Sequence, residues 1–192
     1  MRYIGAVILI IIFAVVAFIT LGRGNNNTKS SDSKKPVTSR VTRLASYDSN
    51  DAASISWTQQ GRIVGDNQFR AIRITVTRRD RTVQVLDGYK LVPLKEQKYG
   101  NTPEAFQAFT RALDLANFGK ERKVIQADER GVCPLGNRFI YRATEGSKEI
   151  MRTWSDNCLA ADGPYAGNTT LVAQLFKNQI TDYNKFVSGI QL

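Results

Sequence analysis

QFRAIRITVTRRDRTVQVLDGY, residues 68–89, alternates apolar and polar side chains on both sides of a central Arg79-Asp80 pair. A period of two is the mark of a strand with one buried face. Ile72, Ile74 and Val76 fall on one face of the first half, and Arg73, Thr75 and Thr77 on the other. Val83 and Val85 continue the apolar face, so the stretch is predicted to be a β-hairpin turning at Arg79-Asp80. A hairpin with one dry and one wet face belongs in an antiparallel sheet that needs a covering layer.

The flanking sequence supplies that layer. Ser54 to Val64 (SISWTQQGRIV) reads as a preceding strand. After the hairpin, Thr102 at an N-cap, Pro103 at the first helical position, Glu104 in the first turn and Gly119 beyond the end delimit a helix. Phe106, Phe109, Leu113 and Ala116 share one face of it, while Glu104, Gln107, Arg111 and Asp114 are expected to point away. A second hairpin is predicted from Arg138–Ala143 (RFIYRA) and Glu149–Trp154 (EIMRTW). A second helix follows over residues 168–177, capped by Asn168 or Thr169, with Leu171, Leu175 and Phe176 inward; a short helical turn carrying Tyr183 and Phe186 closes the chain. The fold class is therefore α+β: one domain of mainly antiparallel sheet, built from two hairpins, with two helices packed on one face.

The amino-terminal part has a different composition. Residues 4–21, IGAVILIIIFAVVAFITL, carry no charge and meet the length of a membrane-spanning helix. The run exceeds the apolar core of a cleavable signal peptide, so it is expected to stay as a signal anchor in the lipid bilayer. Residues 22–47 are rich in Asn, Ser, Thr, Lys and Gly and are expected to form a flexible basic stalk. The expected organisation is residues 1–3 in the cytoplasm, 4–21 in the membrane, 22–47 as stalk and 48–192 as the extracytoplasmic domain. A count of basic residues alone opposes this placement, because Arg23, Lys29, Lys34 and Lys35 follow the span and only Arg2 precedes it. The two cysteines favour it. Cys133 and Cys158 lie in turn-forming segments on either side of the second hairpin and are expected to form a disulfide, which points to an oxidising compartment.

The 192-residue chain carries 27 Lys and Arg against 17 Asp and Glu, a formal charge of +10, and no histidine. Seven of those basic residues lie before residue 44, against Asp32 alone, so the domain proper is only mildly basic. Lacking histidine, and with only two cysteines, the chain has neither the usual general base nor the common zinc ligand sets. No phosphate-binding Gly loop, EF-hand loop or Cys-x-x-Cys motif is present. We therefore expect no enzyme, no metal and no cofactor. The domain's positive charge gathers in the first hairpin, where Arg70, Arg73, Arg78, Arg79 and Arg81 form a basic ribbon suited to phosphate or carboxylate. Tyr165, in the loop Leu159 to Gly167 after Cys158, is a second candidate, as a recognition tip. The expected function is a tethered binding or accessory module of the cell envelope. It would contact an anionic polymer, a lipid headgroup or an acidic protein. The alternatives are an envelope hydrolase or transferase using paired carboxylates, drawn from Asp128, Glu129, Glu145, Glu149 and Asp156, and a structural subunit of a membrane assembly.

Overall fold

The computed structural model describes residues 40–124, 128–158 and 163–192. The expected anchor at residues 4–21 and most of the expected stalk lie outside them. Among the described residues, no helix is long and apolar enough to cross a membrane.

Six strands build one antiparallel sheet: β2 (Ala53–Gln60), β3 (Arg70–Thr77), β4 (Asp80–Asp87), β5 (Val92–Gly100), β7 (Arg138–Glu145) and β8 (Lys148–Asp156). Their order is β5-β4-β3-β2-β7-β8. The chain walks outward from β2 to β5, returns through helix α1 (Pro103–Leu115), and adds the second hairpin on the other side of β2. A two-residue pair, β1 (Arg40–Val41) with β6 (Lys120–Glu121), lies apart from this sheet. Helix α2 (Thr169–Lys177) and the single turn α3 (Tyr183–Phe186) complete the domain. The α+β class, with helices over an antiparallel sheet, is as the alternation and capping predict.

Alternation along each strand explains the core. Ile55 and Trp57 of β2, Ile72, Ile74 and Val76 of β3, and Val83 and Val85 of β4 join Phe106, Phe109 and Leu113 of α1 in one buried cluster. Trp57 is stacked near Phe176 of α2 with centroids 6.4 Å apart, and Phe109 meets Phe176 edge-on at 5.1 Å. The Thr102 hydroxyl accepts the Ala105 amide at 3.2 Å and the Asn168 side chain accepts that of Leu171 at 2.9 Å, so both helices start where their caps require. That start sets the phase of α2: Val172 and Phe176 are buried, whereas Leu171, expected inward, is exposed.

Three further expectations are corrected. The first hairpin turns on Arg78-Arg79, one residue early, because the Thr77 hydroxyl accepts the Asp80 amide at 2.9 Å and closes the loop. Val92–Gly100 is a strand that the pattern misses: it is an edge strand, exposed along almost its whole length, so no burial period marks it. Residues 40–47, assigned to the stalk, belong to the domain. Leu44 is fully buried, and the Leu44 and Ala45 amides donate to the Asp114 carboxylate at 2.8 and 2.9 Å. Asp114, expected to face solvent, thus anchors the entering chain. Gly119 serves the same junction: a Cβ there would stand 1.8 Å from the Thr42 carbonyl oxygen, so only glycine lets the two backbones meet.

Candidate functional site

With the helices covering one face of the sheet, the other face presents its outward positions in rows set by the strand register. Thr75, Ser56, Arg142 and Arg152 stand side by side on β3, β2, β7 and β8. The next row holds Arg73, Thr58, Ile140 and Trp154, and the one beyond it Ala71, Gln60, Arg138 and Asp156. A cleft of about 670 Å3 runs over these rows. Among the described residues five arginines line it (Arg73, Arg130, Arg138, Arg142 and Arg152), with Glu129 as the one carboxylate.

The electrostatics are unbalanced. Arg142 pairs with Glu149 at 2.7 Å, and Arg152 with Glu129, whose carboxylate is buried. Arg130 pairs with Asp128, and its hydrogen bonds pull the Asp128 carboxyl down to about 2. Arg73 has no carboxylate partner among the described residues. Its Nε reaches the Thr58 hydroxyl at 3.3 Å, and burial, followed by the charge of Arg142, lowers its pKa. Arg138 is 3% exposed and donates to the Gly61 carbonyl; its guanidinium lies 5.9 Å from the centre of the Phe69 ring. Its Nε has no hydrogen-bond partner among the described residues, and burial lowers its pKa.

Fixed elements hold these groups. The Cys133–Cys158 disulfide, as expected, closes the open end of the second hairpin, with a sequence separation of 25. It ties the segment carrying Glu129 and Arg130 to the end of β8, and the Pro134 carbonyl accepts the Ile63 amide at 2.8 Å across the rim. At the far end Phe69, Ala71 and Leu86, with Val64 and Leu91 against them, make a second small apolar cluster, and Tyr89 stacks on Phe69 at 4.3 Å. The cleft therefore has a hydroxyl-and-arginine part and an apolar part.

The five arginines of the first hairpin do not form one ribbon. Arg70 pairs with Asp87. Arg78 bonds the Asp51 carboxylate at 2.8 Å and the Asp48 carbonyl at 2.6 Å, and Arg79 approaches Asp51 at 3.3 Å. Arg81 donates to the carbonyls of Gly100 at 3.0 Å and Gln179 at 3.2 Å. Arg73 alone of the five lines the cleft. The arginines that join it come from the second hairpin, where the alternation of RFIYRA already puts Arg138 and Arg142 on the face opposite Phe139 and Tyr141. Tyr165 is not a recognition tip. It is 5% exposed, its ring is stacked 3.7 Å from that of Tyr141, and Gly167 leaves no room for a Cβ against its hydroxyl. Residues 159–162 of that loop lie outside the described residues.

Among the described residues, Cys133, Asp156 and Cys158 bring three candidate metal-ligand atoms together, but the disulfide occupies both sulfurs. The chain matches no protein-family model, and no curated protein matches its sequence.

Proposed function

We propose that this chain is a membrane-tethered, extracytoplasmic binding module whose cleft holds an anionic ligand. The observation that carries the reading is Arg73: a half-buried guanidinium without a carboxylate partner among the described residues, beside Arg142 and over a floor of hydroxyls. Like charges held together in a partly desolvated site are unfavourable until an anion joins them. The unpartnered Nε of Arg138 in the same wall adds a buried donor without an acceptor. Guanidiniums offer planar, paired donors to phosphate or carboxylate oxygens, and Ser56, Thr58 and Thr75 add hydroxyl donors. The cleft's size falls within the range of small-ligand sites, roughly 300 to 1,000 Å3. The apolar run at residues 4–21 supports the tether, and the disulfide supports an oxidising compartment.

A carboxylate-pair hydrolase has less support, since among the described residues Glu129 is the one carboxylate in the cleft wall and is tied to Arg152. The test is thermal unfolding of the full chain in phosphate and in citrate against chloride at matched ionic strength, repeated with Arg73→Gln. Both anions are expected to raise the wild-type midpoint and to leave the variant unmoved. An equal response of the two proteins, or none in either, overturns the reading.

A further inference from the structure

The two parts of the cleft together describe a more specific ligand. We infer that it binds a phosphate-headed amphiphile, with the phosphate among Arg73, Arg142 and Arg152 and the attached chain running over Ile140 towards Ile63 and Phe69. This rests on the binding reading above and names the ligand class for the same cleft.

Three observations lead there. First, Arg130, Arg142 and Arg152 are each paired with a carboxylate while Arg73 and Arg138 have none among the described residues, and these two uncompensated guanidiniums suit a headgroup of more than one negative charge better than a single carboxylate. Second, the register stacks the head site in adjacent rows: Arg142 beside Ser56 and Arg152, Arg73 beside Thr58. Three guanidiniums and neighbouring hydroxyls supply enough donors for the terminal oxygens of one phosphate. Third, the cleft continues past this donor set onto apolar side chains. Ile140 follows within the sheet, then Gln60 and the buried Arg138, whose guanidinium is held by the Gly61 carbonyl, and beyond them stand Ile63, Phe69 and Leu91, with Tyr89 stacked at the lip. From Ser54 to Gln60 the β2 floor spans about 20 Å at strand rise, long enough for a headgroup and the first part of a chain. A free inorganic anion would leave that apolar part in water. Ile63 is 37% and Tyr89 48% exposed, so burying them against a chain is favourable.

Four probes separate the head from the chain: dihexanoyl phosphatidic acid, glycerol 3-phosphate, inorganic phosphate and dihexanoyl phosphatidylcholine. Each is titrated calorimetrically, below its micellar concentration, into the full chain held in phosphatidylcholine nanodiscs, with empty nanodiscs as blank. The expected result is that phosphatidic acid binds at least about tenfold more tightly than glycerol 3-phosphate or inorganic phosphate, and that phosphatidylcholine does not compete. Arg73→Gln should abolish the phosphatidic acid signal. Ile63→Ser, at a half-open position with little folding role, should weaken phosphatidic acid while leaving glycerol 3-phosphate unchanged. Equal affinity for phosphatidic acid and glycerol 3-phosphate, both lost in Arg73→Gln, overturns the amphiphile and leaves the anion reading standing. No binding of any phosphate, or binding indifferent to Arg73→Gln, overturns both.

Discussion

Arg142 and Arg152 stand directly opposite each other across the β7–β8 ladder, two positive residues in one register pair, with Arg73 close enough for the charge of Arg142 to lower its pKa. Like charges facing each other across antiparallel strands are destabilising, so the sheet is less stable than it would be with a neutral residue at this point. Glu149 and Glu129 offset part of this conflict through their pairs with Arg142 and Arg152, and such a departure from local rules is expected at functional sites.

Arg142→Gln should therefore stabilise the unliganded chain. It relieves two repulsions and gives up one half-exposed ion pair with Glu149, for a net gain of about 0.5 kcal/mol. Urea unfolding in chloride reads it directly, and a loss of stability of about 1 kcal/mol or more would show that the pair with Glu149 outweighs the repulsion.

The disulfide closes a loop of 25 residues, for which the chain-entropy estimate is about 3.5 kcal/mol. Adding reductant should lower the unfolding midpoint accordingly, and Cys133→Ser with Cys158→Ser should reproduce the shift. In intact cells, a membrane-impermeant maleimide polymer should label both cysteines only after reductant. Labelling that needs opened cells and no reductant would place the domain on the cytoplasmic side.

Asp114 fixes where the domain begins. Its carboxylate accepts two amides of the 44–47 turn, and Asp114→Ala should cost about 2 kcal/mol, with Asp114→Asn intermediate. Protease should then cut near residues 42–47 first. A variant as stable and as resistant as the wild type would mean that the packing of Leu44 alone holds the turn.

Two buried tyrosines, Tyr141 and Tyr165, and the half-buried Tyr183 set the alkaline limit. Burial pushes the phenol of Tyr183 up to about 12, and those of Tyr141 and Tyr165 higher still. Because the folded-state values are raised, their contribution is fully present below about pH 10 and is lost as pH climbs above it. Phenolate absorbance should rise in a late step that coincides with loss of near-ultraviolet circular dichroism. The Tyr165 hydroxyl is buried without a partner among the described residues, so Tyr165→Phe should be neutral or stabilising by about 1 kcal/mol. Tyr141→Phe breaks a 3.0 Å bond with Ser155 and should destabilise by a similar amount.

What was legible in the sequence follows from how local each signal is. Alternation around Ile72 to Val85 and the Thr102-Pro103 start depend on neighbours along the chain, and both hairpins and α1 are found, with the first turn shifted by one residue. The second hairpin's strands run two residues further on one side and one on the other, to a tight Gly146-Ser147 turn. Strand β5 escapes because an exposed edge strand needs no apolar alternation. The cleft escapes for a different reason: Arg73 meets Arg142 only because β7 pairs with β2, a contact between residues far apart in sequence. Clustering of arginines along the chain pointed instead to Arg78, Arg79 and Arg81, which the fold spends on turns and carbonyls. Tyr165 was misread because small neighbours that suggest a loop tip also permit tight packing, here against Tyr141.

The covalent ring closed by Cys133 and Cys158 encloses Arg138, Arg142 and Arg152, three of the five arginines of the cleft. A newly made chain with free thiols holds these three on a hairpin whose base is unclamped, and oxidation fixes them at their working separation. On the proposed binding reading, ligand capacity would then follow oxidation rather than synthesis, and the reduced chain should bind anions more weakly than the oxidised one.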